Sequence, residues 1–595
     1  MDTPVRVRYA PSPTGMQHIG GVRTALFNYF FARSQGGTFV LRVEDTDQTR
    51  FDPRALRDIY DTFEWLGIAA DESPAVGGEH GPYVQSARIE LYRNLADRLV
   101  EAGRAYWDYT SAKRDHDTEA STDGGDTEAS GDGEASGDAS EAGSDGDASA
   151  AGPAGGHGER ADAPSASAGY TYEGRQLPAE TIAEYQAAGV QPVLRLLVPA
   201  EGTSEFEDLV LGRIKRKHKD LPPDPILLKS DGFPTYHLAN VIDDHLMGIT
   251  HVLRAQEWVP STPLHLLIYE AFGWEPPRFA HLPMVMGKDG SKLSKRHGAT
   301  SLIEFRRQGY LPEAITNYIS MLGWAYDDSR EFFTRRELEE LFSIEKINKA
   351  PAVFDYKKLD WYNGHYIREC DDERLVELLM PYIQEAGWAA AAPSESSSTG
   401  PAIGTRQGAS SPDAGSAGVA AGPNAIGTRE GATAPSDSSS PADRARLAAL
   451  LPLIKERLKT LADVTDLLRF VYEDVTQWSL DDLIPKKAGA TDALQWLDAA
   501  AEVLKNQPLP PAGDEAAEEA HTEALRQAAE EQGTKLGNLM MPLRVAVTGS
   551  RVSPPLVGSI RELGMDEALR RIAGARAVLE AATTGNADEN TRSTT

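Results

Sequence analysis

Thiol chemistry is almost absent: one cysteine, Cys370, stands among 595 residues, which excludes an intrachain disulfide framework and any zinc site built from several thiolates. Lysine is scarce too, with 18 against 42 arginines, and all bases together are outnumbered 60 to 90 by acids, for a formal charge of −30 and a pI near 4.9. That balance excludes a uniformly basic nucleic-acid coat, so any polyanion must meet a local cationic surface. An acidic, lysine-poor surface also suits a protein kept soluble in a salty cytoplasm. No run of about 18 apolar residues occurs, and the start MDTPVRVRYA has no charged stretch followed by an apolar one, so the expectation is a soluble cytoplasmic protein.

What is present divides unevenly. At this length several domains are expected rather than one core. Residues 115–169 are built almost wholly from Asp, Glu, Gly, Ala and Ser, with 14 acids and one base; such a stretch cannot bury enough apolar area to order itself. A second stretch of this kind, 389–442, is rich in Ala, Ser, Gly and Pro and repeats AIGTRQGA (402–409) as AIGTREGA (425–432), too few copies for a solenoid. Both read as disordered insertions. Outside them, VRVRYA at 5–10 alternates as a strand, a Pro and Gly loop follows, and a helix is predicted from about His18 to Arg33 with one apolar face. A second strand at 38–44 leads to Asp52 as N-cap, Pro53 at the first helical position and a closing Gly67. This βαβα alternation implies a parallel sheet whose ligands lie beyond the carboxyl ends of its strands. After about residue 310 the strand signal fades. Pro312 opens a helix, Thr334 and Glu337 form a capping box, and 450–472 and 565–581 continue the helical pattern.

Two motifs carry chemistry. The loop PSPTGMQHIGG (11–21) joins the first strand to the first helix, where backbone N–H groups and the helix N-terminus favour an anion. His18 at the helix start could donate to phosphate oxygens as charge builds during attack at phosphorus. The loop GKDGSKLSKRHG (287–298) offers Lys292 and Lys295 as mobile point charges for a triphosphate. Each motif alone is more often bland, a polar helix start or a solvated charge run. The pair, in this order and on these elements, is far more restrictive.

RYAPSPTGMQHIGG, FVLRVEDTD, PTYHLANVIDDHLMGITHVLRAQEW, GWEPPRFAHLP, KLSKRHGATS, FDYKKLDWYNGHYI and MPLRVAVTG follow one another as they do in the bacterial-type glutamyl-tRNA synthetases, class I aminoacyl-tRNA synthetases, which the chain closely resembles. His18, Ile19 and Gly20 occupy the first family signature, with Gly21 in place of its last His; KLSKR at 292–296 occupies the second, with Leu293 in place of Met.

The resemblance implies an α/β Rossmann-type catalytic domain, its halves at 1–104 and 226–309, interrupted by an acceptor-binding insertion at 105–225. A helical stem-contact region at 310–388, an all-α anticodon-binding domain at 443–582 and a disordered tail at 583–595 complete the expected multidomain chain. The implied reaction activates L-glutamate with Mg-ATP and transfers it to the terminal adenosine of tRNA(Glu), and tRNA(Gln) is a second candidate acceptor. His18, Lys292 and Lys295 are the implied catalytic residues. ATP falls to Ser12, His18, Gly20, Glu257, Val285 through its backbone, and Lys292. Glutamate falls to Arg8, Ala10, Ser12, Glu44, Tyr236, Asn240 and Arg254. Two guanidinium groups suit a substrate with two carboxylates, each as a bidentate clamp.

Magnesium is expected to enter with the nucleotide; Asp243 and Asp244, though tempting as ligands, read as structural, because adjacent strand residues point to opposite faces. No zinc is expected, since Asp108 and Thr110 stand where some family members have zinc-binding cysteines. The basic run GRIKRKHKD (212–220), with Lys215, Arg216 and Lys217, reads equally as a contact for acceptor-strand phosphates or as a charged hairpin face. Arg457 and Arg544 are candidate anticodon contacts, and a monomer is the family expectation. A truncated paralogue that glutamylates a tRNA base would lack the C-terminal helical region, a glutaminyl-tRNA synthetase would carry β-barrels there, and a non-enzymatic tRNA-binding protein would not need His18, Lys292 and Arg254.

Overall fold

The computed structural model describes residues 4–110, 175, 177–294, 296, 298–389, 440–511 and 513–592. The disorder expected for 115–169 and for nearly all of 389–442 falls outside the described residues. The chain forms two compact units, one made of residues 1–305 and 315–355, the other of 306–314 and 356–595.

In the first unit the opening alternation becomes β1 (Arg6–Tyr9), α1 (Ile19–Ser34), β2 (Thr38–Leu41) and α2 (Pro53–Leu66). β1 and β2 are parallel, Val7 facing Phe39. β2 ends three residues before the predicted strand, but the chain stays alongside its neighbour: Arg42 and Glu44 donate their N–H groups to the carbonyls of Tyr9 and Pro11, each at 3.0 Å. α2 follows its punctuation. Asp52 accepts from Arg54 N–H at 2.8 Å, and Gly67 ends the helix at φ +64°, where a side chain would be strained. α1 departs from its single predicted apolar face, since every residue from Ala25 to Ala32 is buried. A helix buried all round lies in the core; here the helix Arg335–Leu341 covers the side away from the sheet, with Tyr29 donating to Glu339 at 2.8 Å and Phe27 edge-on to Phe342 at 5.0 Å.

α3 (Ile89–Glu101), β3 (Ala105–Asp108), α4 (Ala179–Ala187), β4 (Val193–Leu196), β5 (Thr203–Asp208), β6 (Gly212–Lys217), β7 (Ile226–Leu228), α5 (Tyr236–Leu246), β8 (His251–Ala255), α6 (Thr262–Phe272) and β9 (Arg278–Leu282) follow. β3, β4 and β7 make an antiparallel sheet; β6, β5, β9 and β8 lie in that order in another. β8 and β9 are parallel, β5 is parallel to β9, and β6 returns antiparallel to β5, so the sheet is mixed rather than parallel throughout. At its other side Thr250 N–H donates to the Arg6 carbonyl at 2.9 Å and Arg6 N–H to Thr250 Oγ1 at 2.8 Å, which ties β8 to β1. Among the described residues past 310 one strand remains, Ala352–Val353, parallel to Val285–Met286. Two residues are too few for alternation to be read from sequence.

The second unit is helical among its described residues. One apolar cluster joins Leu311 and Ala314 to Leu375, Leu379, Leu451, Ile454 and Leu468; another gathers Leu497, Leu504, Leu539, Leu543, Ile560 and Ile572. The predicted helix 450–472 is broken: one helix ends at Ile454, a tight turn follows at Lys455–Arg457, and a new helix starts at Asp463, whose side chain accepts from the N–H groups of Lys459 and Thr460 in the intervening segment, both at 2.9 Å. Gly309, at φ +84°, faces this break so closely that a Cβ would lie 2.6 Å from Leu461 N. The final helix, Met565–Arg592, runs into the stretch expected to be a tail, since adding residues to a nucleated helix costs little. No described helix is long and apolar enough to cross a membrane.

Candidate active site

At the carboxyl end of β1 the turn into α1 is held by its own side chains. His18 has extended backbone, φ −120° and ψ 163°, and its Nδ1 accepts from Gly20 and Gly21 N–H at 3.1 and 3.3 Å. An accepting Nδ1 leaves the proton of a neutral ring on Nε2, the nitrogen that can donate to an anion. Tyr9 donates to Gln17 Oε1 at 2.7 Å, and at Gly21 a Cβ would lie 2.9 Å from the Tyr9 hydroxyl, which accounts for glycine after His-Ile-Gly. The distant lysine segment meets this turn through the backbone: Ile19 N–H donates to Thr300 O at 3.1 Å and Leu302 N–H to Gln17 O at 3.2 Å. The lysine loop is anchored at its other end by Leu293 N–H on the Val285 carbonyl, 3.0 Å. Lys292 pairs with Glu257, which lies just after β8 in the short helix Gln256–Ser261. Lys295 lies outside the described residues.

Beneath the turn is a buried charge cluster. Arg8 on β1 donates from Nε and Nη2 to the two oxygens of Asp244, 2.9 and 3.2 Å, and from Nη2 to Asn240 Oδ1 at 3.1 Å. Arg42, fully buried, donates to Asp244 at 2.8 Å, to Glu44 at 2.9 Å and to Asn240 at 3.3 Å. Burial alone would lower the Arg42 pKa, but the carboxylates of Asp244, Glu44 and Asp243 outweigh it and hold that pKa well above the ordinary value. Burial would raise Asp244, yet Arg8 and Arg42 hold it below the usual carboxylate range. For Glu44 burial wins and the pKa is raised, against the pull of Arg42 and Arg8. Asp243 faces other partners, accepting from Arg88 at 2.8 Å, Tyr92 at 2.8 Å and Gln85 at 2.9 Å. The two aspartates therefore bind the core together, from the helix α5 and not from a strand as expected. Arg254, on β8, is different: its acceptors are Thr262 Oγ1 at 2.8 Å, Tyr236 OH at 3.1 Å, His281 Nε2 at 3.1 Å and His265 Nδ1 at 3.3 Å. Among the described residues no carboxylate pairs with it.

The class I tRNA synthetase (E and Q) catalytic domain matches residues 4–137 and 157–361, and an anticodon binding domain matches 374–576. The glutamate–tRNA ligase of Treponema denticola is 45% identical over 569 residues, 96% of this chain and 98% of that one. That of Borreliella burgdorferi is 43% identical over 567 residues, 95% and 97%. This chain belongs to the glutamate–tRNA ligases. A solved glutamate–tRNA ligase from Elizabethkingia meningosepticum, in complex with its amino acid, superposes with a TM-score of 0.67 at 28% identity over 97% of this chain and all of that one.

The other residues expected of a glutamate–tRNA ligase spread more widely. Ala10 is half-buried directly after β1 and Ser12 is exposed on the turn, its carbonyl accepting from Thr14 N–H at 2.9 Å. Lys215, Arg216 and Lys217 are exposed on β6, an edge strand opposite β5, where Lys215 lies 3.6 Å from Glu205. Arg457 is exposed in the second unit. Arg544 is half-buried and donates to the Pro554 carbonyl at 3.0 Å; burial lowers its pKa, and the nearby Arg457 charge adds to this. Asp108 accepts from Thr110 N–H and hydroxyl at 2.9 and 2.6 Å and from Arg195 at 2.6 Å. Sequence reasoning missed Arg42, His265, His281 and Asp208. Arg42 could have been found as a lone cation in an apolar strand, which must meet carboxylates if that strand is central; the histidines gave no such signal.

Proposed function

We propose that the chain activates L-glutamate with ATP and transfers it to the terminal adenosine of tRNA(Glu), in the cytoplasm and as a monomer. The observation that carries the reading is the backbone pairing of residues 17–19 with 300–302, which brings the histidine turn and the lysine segment to one end of a sheet that also presents Arg254. In the first step a carboxylate oxygen of glutamate attacks the α-phosphorus, an O–P bond forms, and the bond to pyrophosphate breaks. In the second a ribose hydroxyl attacks the activated carbonyl and AMP departs. Alignment and charge stabilisation suffice, and no protein nucleophile is needed.

In this reading Arg254 receives a substrate carboxylate, with Tyr236 beside it; Arg8, Asn240, Glu44, Ala10 and Ser12 complete the glutamate side. Arg8 is not an open clamp, because Asp244 holds its Nε edge, so it contributes through Nη1 and through the fixed Asn240. His18 Nε2, the Gly20 backbone, Ser12, Glu257, the Val285 backbone and Lys292 form the ATP side. Lys292 leaves Glu257 for the triphosphate at little cost, since that pair is half-exposed. Lys295 would add a second cation. Magnesium would travel on the phosphates and neutralise part of their charge; among the described residues no group of three carboxylate, histidine or cysteine side chains forms a ready cage, and the steps above rest on the chain's own residues.

Glutamate-dependent ATP–pyrophosphate exchange in the presence of tRNA tests the reading; no exchange with glutamate would overturn it. Charging purified tRNA(Glu) and tRNA(Gln) separately measures whether both are acceptors. The β6 cations are proposed to meet acceptor-strand phosphates. Replacing Lys215, Arg216 and Lys217 by Gln is then expected to reduce the slope of log affinity for tRNA against log salt by about one per lost phosphate contact, with the KM for glutamate unchanged. An unaltered slope would return these residues to ordinary edge-strand protection.

A further inference from the structure

A buried cation is costly unless it is paired, and the first unit treats its buried arginines in opposite ways. Arg8 and Arg42 share the Asp244 carboxylate. Arg254, only 4% exposed, has only neutral acceptors among the described residues, two of them histidine nitrogens, and each of those rings is fixed from behind. His281 Nδ1 donates to Asp208 Oδ2 at 2.6 Å, both side chains fully buried, so Nε2 of the neutral ring carries a lone pair for Arg254. Asp208 is itself immobilised: its Oδ1 accepts from Val210 and Leu211 N–H at 3.0 and 2.8 Å. On the other flank His265 Nδ1 accepts from Arg254, which puts its proton on Nε2, facing His237 Nδ1 at 3.0 Å. Burial, reinforced by the Arg254 charge, keeps these rings neutral: His237 is pushed down to about 4 and His265 well below its ordinary value. His281 is lowered by burial despite its bond to Asp208.

We propose that His281, oriented by Asp208, and His265, oriented by His237, are positioning residues that hold Arg254 on neutral lone pairs and so keep its positive charge available to a substrate carboxylate. A carboxylate in their place would hold the guanidinium as firmly but neutralise it, as Asp244 does for Arg8. A protonated imidazole would repel it. A neutral ring with its proton turned away orients the arginine and leaves its charge unspent, as the Thr262 and Tyr236 hydroxyls do on its other N–H groups. The inference rests on the reading of Arg254 as a glutamate-binding residue.

Asp208→Asn tests it. The amide oxygen stays on the turn N–H groups, so the amide nitrogen faces His281 Nδ1; the ring proton then moves to Nε2, where N–H meets N–H at Arg254. In tRNA-supported exchange the KM for glutamate is expected to rise about tenfold to a hundredfold, the loss of one hydrogen bond to a charged group. The KM for ATP and kcat at saturating glutamate stay within about threefold. His281→Asn, which reaches Asp208 but not Arg254, should behave in the same way, while His281→Gln, whose amide oxygen stands where Nε2 stood, should restore the KM for glutamate. Unchanged KM for glutamate in Asp208→Asn and His281→Asn, no restoration by Gln, or parallel losses in both KM values and kcat would each overturn the proposal. Arg254→Gln separates the two layers. An unchanged KM for glutamate there refutes the role of Arg254 itself, whereas a raised one, with Asp208→Asn unaffected, refutes the positioning role alone.

Discussion

Lys292→Ala is expected to lower glutamate-dependent ATP–pyrophosphate exchange about a hundredfold or more, the scale seen when one charge-stabilising donor is removed from a reaction centre, while thermal unfolding barely changes. The separation follows from its surroundings. The Lys292 and Glu257 side chains are 46% and 45% exposed, and a pair so open to water adds little to stability. His18→Asn is the companion variant. Asparagine can still accept from the Gly20 and Gly21 N–H groups as an N-cap, but it has no counterpart of Nε2, so exchange should fall on a similar scale with α1 intact. Single-turnover adenylate formation and calorimetry on both variants check the prediction, and wild-type turnover in either would remove that residue from the reaction.

Asp244→Ala should be the most damaging change to folding, costing about 3–5 kcal/mol, because it leaves Arg8 and Arg42 as buried cations without their common carboxylate. The midpoint of urea unfolding should fall accordingly, and Asp244→Asn should sit between the alanine variant and wild type. The pH dependence has a definite sign. The pKa of Asp244 is lower in the folded chain than the ordinary carboxylate value, so its contribution is fully present above that ordinary value and is lost as pH falls through the folded one. Acid unfolding of the alanine variant should show that component missing, and an acid profile parallel to wild type would contradict the assignment.

Much of this was legible in sequence where the cause is local. Asp52, Pro53 and Gly67 bound a helix through their own backbone preferences, and Thr334 with Glu337 closes a capping box whose bonds the structure contains. The histidine turn and the lysine segment could be recognised because spacing and flanking elements restrict them jointly. What could not be read depends on tertiary neighbours. The full burial of α1 comes from a helix more than 300 positions later, and the parallel pairing of Val285–Met286 with Ala352–Val353 is too short for any periodicity. The partners of Arg8 and Arg254 illustrate the same limit: two arginines on parallel strands look alike in a sequence, and only the side chains that α5, α6 and β9 bring to them make one neutralised and the other not.

The hydrogen bonds that join residues 17–19 to 300–302 also set a timetable for synthesis. A nascent chain carries β1 and α1 out of the ribosome early, yet β1 must wait for residue 250 before it gains its second neighbour, and the nucleotide end is not closed until residue 302 has emerged. Pairings of such long range are slow to form, and until then the unpaired backbone edge of β1 stays exposed to other chains. Translation pauses or truncations in the first half would therefore yield material prone to aggregate rather than a partly active fragment.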